Sequence, residues 1–182
     1  MKERKVTINM AWANAFSFIV LAVAAIPTLV AYRALWGEFH VGGGDPYGVL
    51  IKDAVFVVAM LAGIVVHELI HGATWAMFAQ SGWKSISFGV MWKMLSPYCH
   101  CSEPLRLRHY VAGALMPLVV LGIIPLVLGL ALGSFLVVLY GVVFVSAASG
   151  DILVVWKLRH DKATSSVLDH PTEAGCVVYE EP

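Results

Sequence analysis

Charged residues are scarce in this chain, at 13% of its 182 positions, whereas soluble domains carry about a quarter. Hydrophobic residues make up 59% of the sequence, and the mean hydropathy is +0.80. This composition excludes an ordinary soluble domain and indicates an integral membrane protein. The formal net charge is zero, so no strongly basic surface argues for a nucleic-acid partner, and none is expected.

Cysteine is also scarce. The chain has three cysteines, which are too few and too unevenly spaced for a disulfide framework: Cys99, Cys101 and Cys176. Their odd number, on the side that the basic residues below predict to be cytosolic, suggests reduced thiols. Together with His100 and His170 they could form a second metal site, but a Cys-x-Cys pair with one distant cysteine lacks the paired spacing of structural zinc sites. The favoured interpretation is that the thiols pack as small hydrophobic side chains.

The sequence contains four long apolar segments. Each approaches the roughly 20 residues that cross a hydrocarbon core of about 30 Å. The segments are 10–32, 54–79, 110–132 and 135–156. We therefore predict an all-α membrane protein with four transmembrane helices, forming one integral membrane domain over residues 1–182 with a cytosolic tail at 157–182.

The first segment has a second interpretation. It follows a basic start, and Ala22-Val23-Ala24 resembles the small-residue cleavage site of a signal peptide. The apolar run continues through Val30 and Ala31, beyond that site. This length favours a retained transmembrane helix.

The basic residues predict an orientation. Of the 12 Lys and Arg residues, only Arg33 and Lys52 lie between the first and second segments. All the others lie at the N-terminus, between the second and third segments, or in the tail. Because cytosolic loops carry the excess of Lys and Arg, we expect a multi-pass protein in a lipid bilayer with both termini in the cytosol.

The loop between the second and third segments alternates apolar and other residues from Ile86 to Met94. Alternation with period two predicts a strand, Ser96-Pro97 predicts a turn, and Tyr98 to Cys101 would return as a second strand. We expect a small cytosolic β-hairpin at the membrane face. Its exposed edge could hold an extended substrate by strand addition; alternatively, the hairpin is an amphipathic cover lying on lipid.

The stretch VHELIHG at residues 66–72 places two imidazoles and a carboxylate inside the second apolar segment. His67 and His71 are one helical turn apart, so both rings could bind one metal ion. Glu68 is of the residue type that takes a proton from a metal-bound water, whose pKa zinc lowers towards about 7. The pattern predicts a Zn²⁺ cofactor, two histidine ligands, and Glu68 as general base and later acid.

The free-energy cost of placing these ionisable groups in a bilayer supports a functional interpretation. An ionisable side chain in mid-bilayer costs at least about 2.5 kcal/mol, so such residues are rare and usually functional. The alternative is a polar seam that joins helices by hydrogen bonds. A seam needs neither the histidine spacing nor the glutamate, which favours the metal site.

A catalytic zinc usually has three protein ligands and one open position. Asp151 is the one further acidic residue in the apolar segments, and it would lie at about the depth of His71. The small residues at 146–150 would let the fourth helix approach the second closely. Two alternatives stay open: Asp151 could turn outward or pair with Lys157, and His100 could reach the metal from the loop.

Five stretches resemble the bacterial DUF3267 family, whose members are described as "putative zincin" peptidases. They are HELIHG, ISFGVMWKMLSPYCHC, GALMP, SGDILVVW and DHPTEAGC, and they cover most of the chain from the second helix to the tail. The family is similar in plan to site-2-protease-type intramembrane metalloproteases. The resemblance implies a bacterial cytoplasmic-membrane protein with His67, His71 and Asp151 as ligands and Glu68 as the catalytic carboxylate. Those proteases place their aspartate in a Leu-Asp-Gly setting, whereas here the order is Gly150-Asp151-Ile152.

The expected function is hydrolysis of peptide bonds in or near the membrane, with a membrane protein or peptide as substrate. One alternative is a membrane protein that binds metal without catalysis, in which Glu68 would carry no proton. A second alternative is an inactive protease-like regulator.

Overall fold

The computed structural model describes residues 2–39, 45–92, 96–171 and 173–180. The fold is mostly helical. Its elements in chain order are β1 (Lys2–Thr7), α1 (Met10–Trp36), α2 (Pro46–Ala76), β2 (Ile86–Met91), β3 (Ser96–Cys101), β4 (Leu105–Arg106), α3 (Leu107–Pro117), α4 (Ile124–Leu132), α5 (Phe135–Ala147), α6 (Ser149–Leu158), β5 (Ser166–Asp169) and β6 (Gly175–Glu180).

Three helices are long and apolar enough to cross a membrane. They are α1, α2 and the continuous helix Leu107–Leu132, in which a π-helical segment joins α3 to α4. The bent pair α5 and α6 makes a fourth span if it is counted as one. Large apolar side chains on these helices are exposed, such as Phe18 at 71% and Leu50 at 65%. Exposed apolar surface of this extent fits contact with lipid rather than water.

The first apolar segment forms one uninterrupted helix through Ala22-Val23-Ala24. The Tyr32 hydroxyl donates a hydrogen bond to the carbonyl oxygen of Gly133 (2.7 Å), and the indole of Trp36 donates to that of Leu130 (2.9 Å). These bonds tie α1 to the turn between α4 and α5. The first apolar segment is therefore packed against the rest of the described helices.

The fourth predicted helix is broken. Between α5 and α6 the chain bends by 44°, at Ala148 (φ −77°, ψ 9°). The Ser146 hydroxyl donates to the carbonyl oxygen of Ser17 on α1 (2.9 Å), and the nearest atom to a Cβ built at Gly150 belongs to Ile8. Both contacts are with the N-terminal part of the chain, while Asp151 on α6 lies against His67 and His71 of α2. The break puts Asp151 in the first turn of α6.

The prediction of an all-α fold was wrong in one respect, because β1 at the start of the described chain, the short mid-chain strand β4, and β5 and β6 near its end form an antiparallel sheet. Its strand order is β1-β6-β5-β4. Val6 lies opposite Cys176, and Val167 lies opposite Val178. All four side chains are buried. The strands are short and β1 is far from its partner in sequence, so local periodicity gives little sign of them.

Polar contacts fasten this sheet to the helices. Arg4 donates to both carboxylate oxygens of Asp161, at 2.6 Å each. The Lys157 ammonium donates to the carbonyl oxygen of Thr7 (2.7 Å). The sheet therefore sits at the ends of α1 and α6.

The hairpin is present, with β2 and β3 paired so that Phe88 lies opposite Cys99. The predicted turn at Ser96-Pro97 was wrong, because Ser96 pairs with Met91 and Pro97 pairs with Val90. The strand tolerates Pro97 because its missing N–H falls where no ladder bond to β2 is made. Met94, which the alternation included, lies outside the described residues.

Gly175 gives a test of the sheet. It has φ +136°, and a Cβ added there would collide with the carbonyl oxygen of Val6 on β1. We expect Gly175→Ala to destabilise the protein by about 1–3 kcal/mol, which thermal unfolding in detergent would measure.

The matched control is Gly37→Ala. Gly37 also has positive φ (+78°), but nothing lies within 4 Å of an added Cβ. Its loss of stability should be smaller, because only backbone strain acts there. Equal losses in the two variants would contradict the close approach of β6 to β1.

Candidate metal centre

Two helices bring three ligand-type side chains together. His67 and His71 lie on α2 and are both buried. Asp151 reaches them from the first turn of α6. Its Oδ2 lies 3.3 Å from Nε2 of His67, and its Oδ1 lies 3.5 Å from Nε2 of His71. Each side chain offers a ligand atom, these atoms lie within 4.8 Å of one another, and the group could hold a metal ion.

The donor set fits zinc. Imidazole nitrogens and a carboxylate oxygen are ordinary zinc ligands, at bond lengths of about 2.0–2.2 Å. Two such ligands in a tetrahedral arrangement lie roughly 3.3–3.5 Å apart, and the two nitrogen–oxygen separations at Asp151 are 3.3 and 3.5 Å. The two separations involve different oxygens of Asp151, and all three ligand atoms lie within 4.8 Å of one another, so the group is close to the size of the ligand shell around one small ion.

Helix α3 holds one of the imidazoles in place. Nδ1 of His71 lies 2.9 Å from the carbonyl oxygen of Gly113. Donation from Nδ1–H to that oxygen would leave Nε2 free as a ligand, as in most protein metal sites. On the other side the Trp75 ring stacks on His71, with centroids 5.2 Å apart. The indole N–H of Trp75 donates to the carbonyl oxygen of Tyr110 (3.0 Å).

Glu68 faces the same space. Its side chain is half-buried, and its carboxylate lies close to both imidazoles, to Asp151 and to the backbone N–H of Cys99 on β3. All four side chains line one cavity of about 600 Å³, a volume in the range of small-molecule and peptide sites. The arrangement therefore combines a metal-binding set with a carboxylate that is not needed as a ligand.

Comparison of the sequence with models of known families shows the family of this chain. Residues 60–166 match the model of the DUF3267 family, described as "Putative zincin peptidase". The match covers more than half of the chain. The chain belongs to the DUF3267 family. No curated protein and no solved structure matches it significantly.

The match contains all four residues of the centre and ends before Asp169. The resemblance found in the sequence motifs is therefore confirmed. The description names a zincin, which implies zinc, and the ligand group of this DUF3267 protein agrees with that implication.

The alternatives for the third ligand are now distinguishable. Lys157 donates to the carbonyl oxygen of Thr7, while Asp151 lies between the imidazoles. His100 lines the cavity, but its Nδ1 lies 3.9 Å from Oδ2 of Asp169, and it is not in the ligand group. The geometry therefore favours Asp151 over His100.

The cysteines do not assemble a second centre among the described residues. Cys101 and Cys176 are buried, and the Cys101 thiol lies 3.5 Å from the carbonyl oxygen of Glu103. Nδ1 of His170 accepts a hydrogen bond from the backbone N–H of Glu173 (3.0 Å). These contacts agree with packing as small hydrophobic side chains.

Asp169 on β5 was missed as a candidate. Its carboxylate is buried and accepts hydrogen bonds from the Tyr110 hydroxyl (2.6 Å) and from the backbone N–H of Cys101 (2.8 Å). Burial raises the pKa of Asp169 above its ordinary value, and the two hydrogen bonds oppose that rise. The one signal in the sequence was the stretch DHPTEAGC, which begins with this residue.

The thiols give a chemical test. Burial raises the pKa of Cys176 from 9.0 to about 12, which lowers its thiolate fraction at pH 8 by roughly a thousandfold. We expect alkylation of Cys176 by iodoacetamide at pH 8 to be at least about a hundredfold slower in folded protein than in protein unfolded in SDS. Labelling that is equally fast in both states would contradict the packing, and labelling that accelerates on metal removal would indicate a thiol–metal site.

Proposed function

We propose that this DUF3267 protein is a zinc-dependent peptidase that hydrolyses peptide bonds within or next to the membrane. The observation that carries the proposal is the meeting of His67, His71 and Asp151 around one small volume, with Glu68 on the wall of the same cavity. If these residues only joined helices by hydrogen bonds, the presence of Glu68 would have no explanation. Catalysis gives each of the four side chains a role.

His67, His71 and Asp151 would hold the zinc. When bound, zinc would supply a Lewis acid and make water nucleophilic at neutral pH. Glu68 accepts a proton from the attacking water and passes it to the nitrogen of the leaving amine as the C–N bond breaks. The backbone N–H of Cys99, which lies against the Glu68 carboxylate, would orient it for both transfers.

The substrate must reach Glu68 in extended form, because a helical peptide bond is shielded by its own hydrogen bonds. The hairpin supports that requirement. β3 lines the cavity along most of its length, and the N–H groups of Cys99 and Cys101 point towards Glu68 and Asp169 rather than β2. We therefore favour a hairpin that lies beside the bound substrate over an amphipathic cover on lipid.

The proposed location follows from the end of the bundle at which the centre lies. The cavity is lined by residues at the start of α1, by the hairpin and by the β5–β6 turn. Nearly all basic residues precede α1, belong to the loop that contains the hairpin, or follow Trp156. We propose a cytosolic position for this end, in the cytoplasmic membrane of a bacterium.

Glu68→Gln tests the mechanism. The amide cannot accept a proton from water, so we expect cleavage of a synthetic library of apolar peptides to fall by roughly a hundredfold or more. Zinc content should stay unchanged, since Glu68 is not in the ligand group. Peptide products would be measured by mass spectrometry in detergent.

The matched control is Glu173→Gln, which removes another carboxylate from the wall of the same cavity. It should leave cleavage within a few-fold of wild type. Full activity of Glu68→Gln would overturn the mechanism. Zinc binding by a wild-type protein that cleaves nothing would favour a metal-binding membrane protein or an inactive regulator.

Gly113→Ala tests the support of the metal ligand. A Cβ at Gly113 would collide with the Trp75 indole, which stacks on His71. Displacing either group disturbs the imidazole, so we expect zinc affinity to fall by about 10- to 100-fold in competition with a chelator.

Gly150→Ala is the control for this variant. It lies beside Asp151, but the nearest atom to an added Cβ is Ile8 Cδ1 at 3.9 Å, so zinc affinity should hold. If Gly113→Ala bound zinc as tightly as Gly150→Ala, α3 would have no part in positioning His71.

A further inference from the structure

We propose that His100 is a further catalytic residue, whose Nε2 donates a hydrogen bond to the carbonyl oxygen that becomes negative when water attacks the peptide. Asp169 would hold the imidazole ring in place and would therefore be a positioning residue, because it acts through His100. The proposal rests on the proposed peptidase function and deepens it, by assigning a side chain of this protein to the negative charge that the reaction creates.

His100 lies between two carboxylates along β3. The N–H of Cys99 lies against the Glu68 carboxylate, and the N–H of Cys101 donates to Oδ2 of Asp169 (2.8 Å). The Cα of His100 is about 3.8 Å from that of each neighbour in the chain. Its side chain lines the cavity that contains Glu68 and the metal-binding group. The ring therefore starts one residue away from the contact of Glu68 with β3.

Asp169 gives this ring a fixed partner. Nδ1 of His100 lies 3.9 Å from Oδ2 of Asp169. The carboxylate is buried, and its Oδ1 accepts a hydrogen bond from the Tyr110 hydroxyl (2.6 Å). Asp169 is the one charged partner of His100 among the residues that the structure describes. An acceptor on the Nδ1 side orients the ring and leaves Nε2 for the cavity.

Other hydrogen-bond donors of the cavity wall are less suited to this task. The indole N–H of Trp75 donates to the carbonyl oxygen of Tyr110, and the Tyr110 hydroxyl donates to Asp169. The amide of Asn14 also lines the cavity, but that residue is exposed. Within the described ranges the cavity wall includes no lysine or arginine. His100 therefore combines an oriented ring with a nitrogen that is still available.

The chemistry of the attack creates the charge that His100 would meet. The oxygen of water bonds to the carbonyl carbon, the proton of that water passes to Glu68, and the electron pair of the C=O double bond moves onto the carbonyl oxygen. A ring between a carboxylate and a developing oxyanion is stabilised as the cation, which carries a proton on both nitrogens. The hydrogen bond from Nε2 therefore strengthens as the transition state forms, and no proton leaves His100.

A structural role of the His100–Asp169 contact predicts a different result. A contact that only tied the hairpin to the sheet would change stability, zinc content or substrate affinity when it was removed. An interaction made only in the transition state lowers kcat and leaves KM unchanged. Loss of one oxyanion donor lowers kcat by about 100- to 1,000-fold in other enzymes, and we expect a loss of that size in His100→Ala.

The first experiment compares His100→Ala, His100→Gln and Asn14→Ala with wild type, on the apolar library peptide that wild type cuts fastest. The glutamine amide keeps an N–H donor, so His100→Gln should retain at least about ten times the kcat of His100→Ala. Asn14→Ala is the matched control, because it removes another amide from the same wall, and its kcat should stay within a few-fold of wild type. An unchanged kcat in His100→Ala, or a loss explained by KM or zinc content, would overturn the proposal.

The positioning role of Asp169 is tested through His100. We expect Asp169→Asn to lower kcat by about tenfold in the wild-type background, because the amide neither offsets the charge of the ring nor orients it as strongly. The same change should have no further effect on kcat in His100→Ala, since there is no ring left to hold. An equal loss in both backgrounds would show that Asp169 acts independently of His100 and would overturn its positioning role.

A second readout does not depend on cleavage. A phosphinic peptide, in which a tetrahedral anionic phosphorus group replaces the scissile peptide bond, carries the negative oxygen that His100 would bind. His100→Ala should weaken binding of this peptide to the zinc-loaded protein by about a hundredfold. The substrate peptide should bind Glu68→Gln equally well with and without His100→Ala.

The two readouts separate the two proposals. If the phosphinic peptide bound in a manner that depended on His100 while wild type cut no peptide, the peptidase proposal alone would fail. If wild type cut peptides and His100→Ala changed neither kcat nor phosphinic-peptide affinity, the role of His100 alone would fail. A wild-type protein that neither cut peptides nor bound the phosphinic peptide would overturn both.

Discussion

The need to give a half-buried carboxylate and two buried imidazoles mutual partners constrains the rest of this protein. His67, His71 and Asp151 lie in helices whose surfaces are otherwise apolar, and single ionisable groups in such surroundings are costly. The cost falls when the groups face one another, and a divalent ion shared between them would offset it further. The geometry of the site is therefore a condition for a stable bundle as well as for chemistry.

Two features of the fold serve that meeting. The break at Ala148 turns α6 so that Asp151 enters from its first turn, while small residues settle against α1. Gly113 on α3 presents a carbonyl oxygen to His71 and leaves room for the Trp75 ring. A straight fourth helix and a bulkier third helix would each move a ligand away from the others.

The residues of the metal centre could be predicted from the sequence more clearly than the strands that surround them. HELIH at residues 67–71 and Asp151 stand out because ionisable residues in apolar segments have few alternative explanations. The four-stranded sheet was missed because its strands are short and β1 pairs with β6, which is far from it in sequence. Asp169 was missed for the same reason, since its value lies in contacts with Tyr110 and Cys101 that only the sheet creates. The sequence pattern misplaces the hairpin turn because Ser-Pro is typical of turns, although a proline fits a strand where no ladder N–H is needed.

The most direct test of the centre is X-ray absorption at the zinc edge of protein purified in detergent, wild type beside Asp151→Ala. The account predicts one zinc per chain in wild type, with two imidazoles and a carboxylate oxygen as protein ligands and no sulfur. In Asp151→Ala one oxygen ligand should be lost or zinc should leave. A sulfur ligand from Cys99, Cys101 or Cys176, or an unchanged ligand shell in Asp151→Ala, would contradict the centre described above.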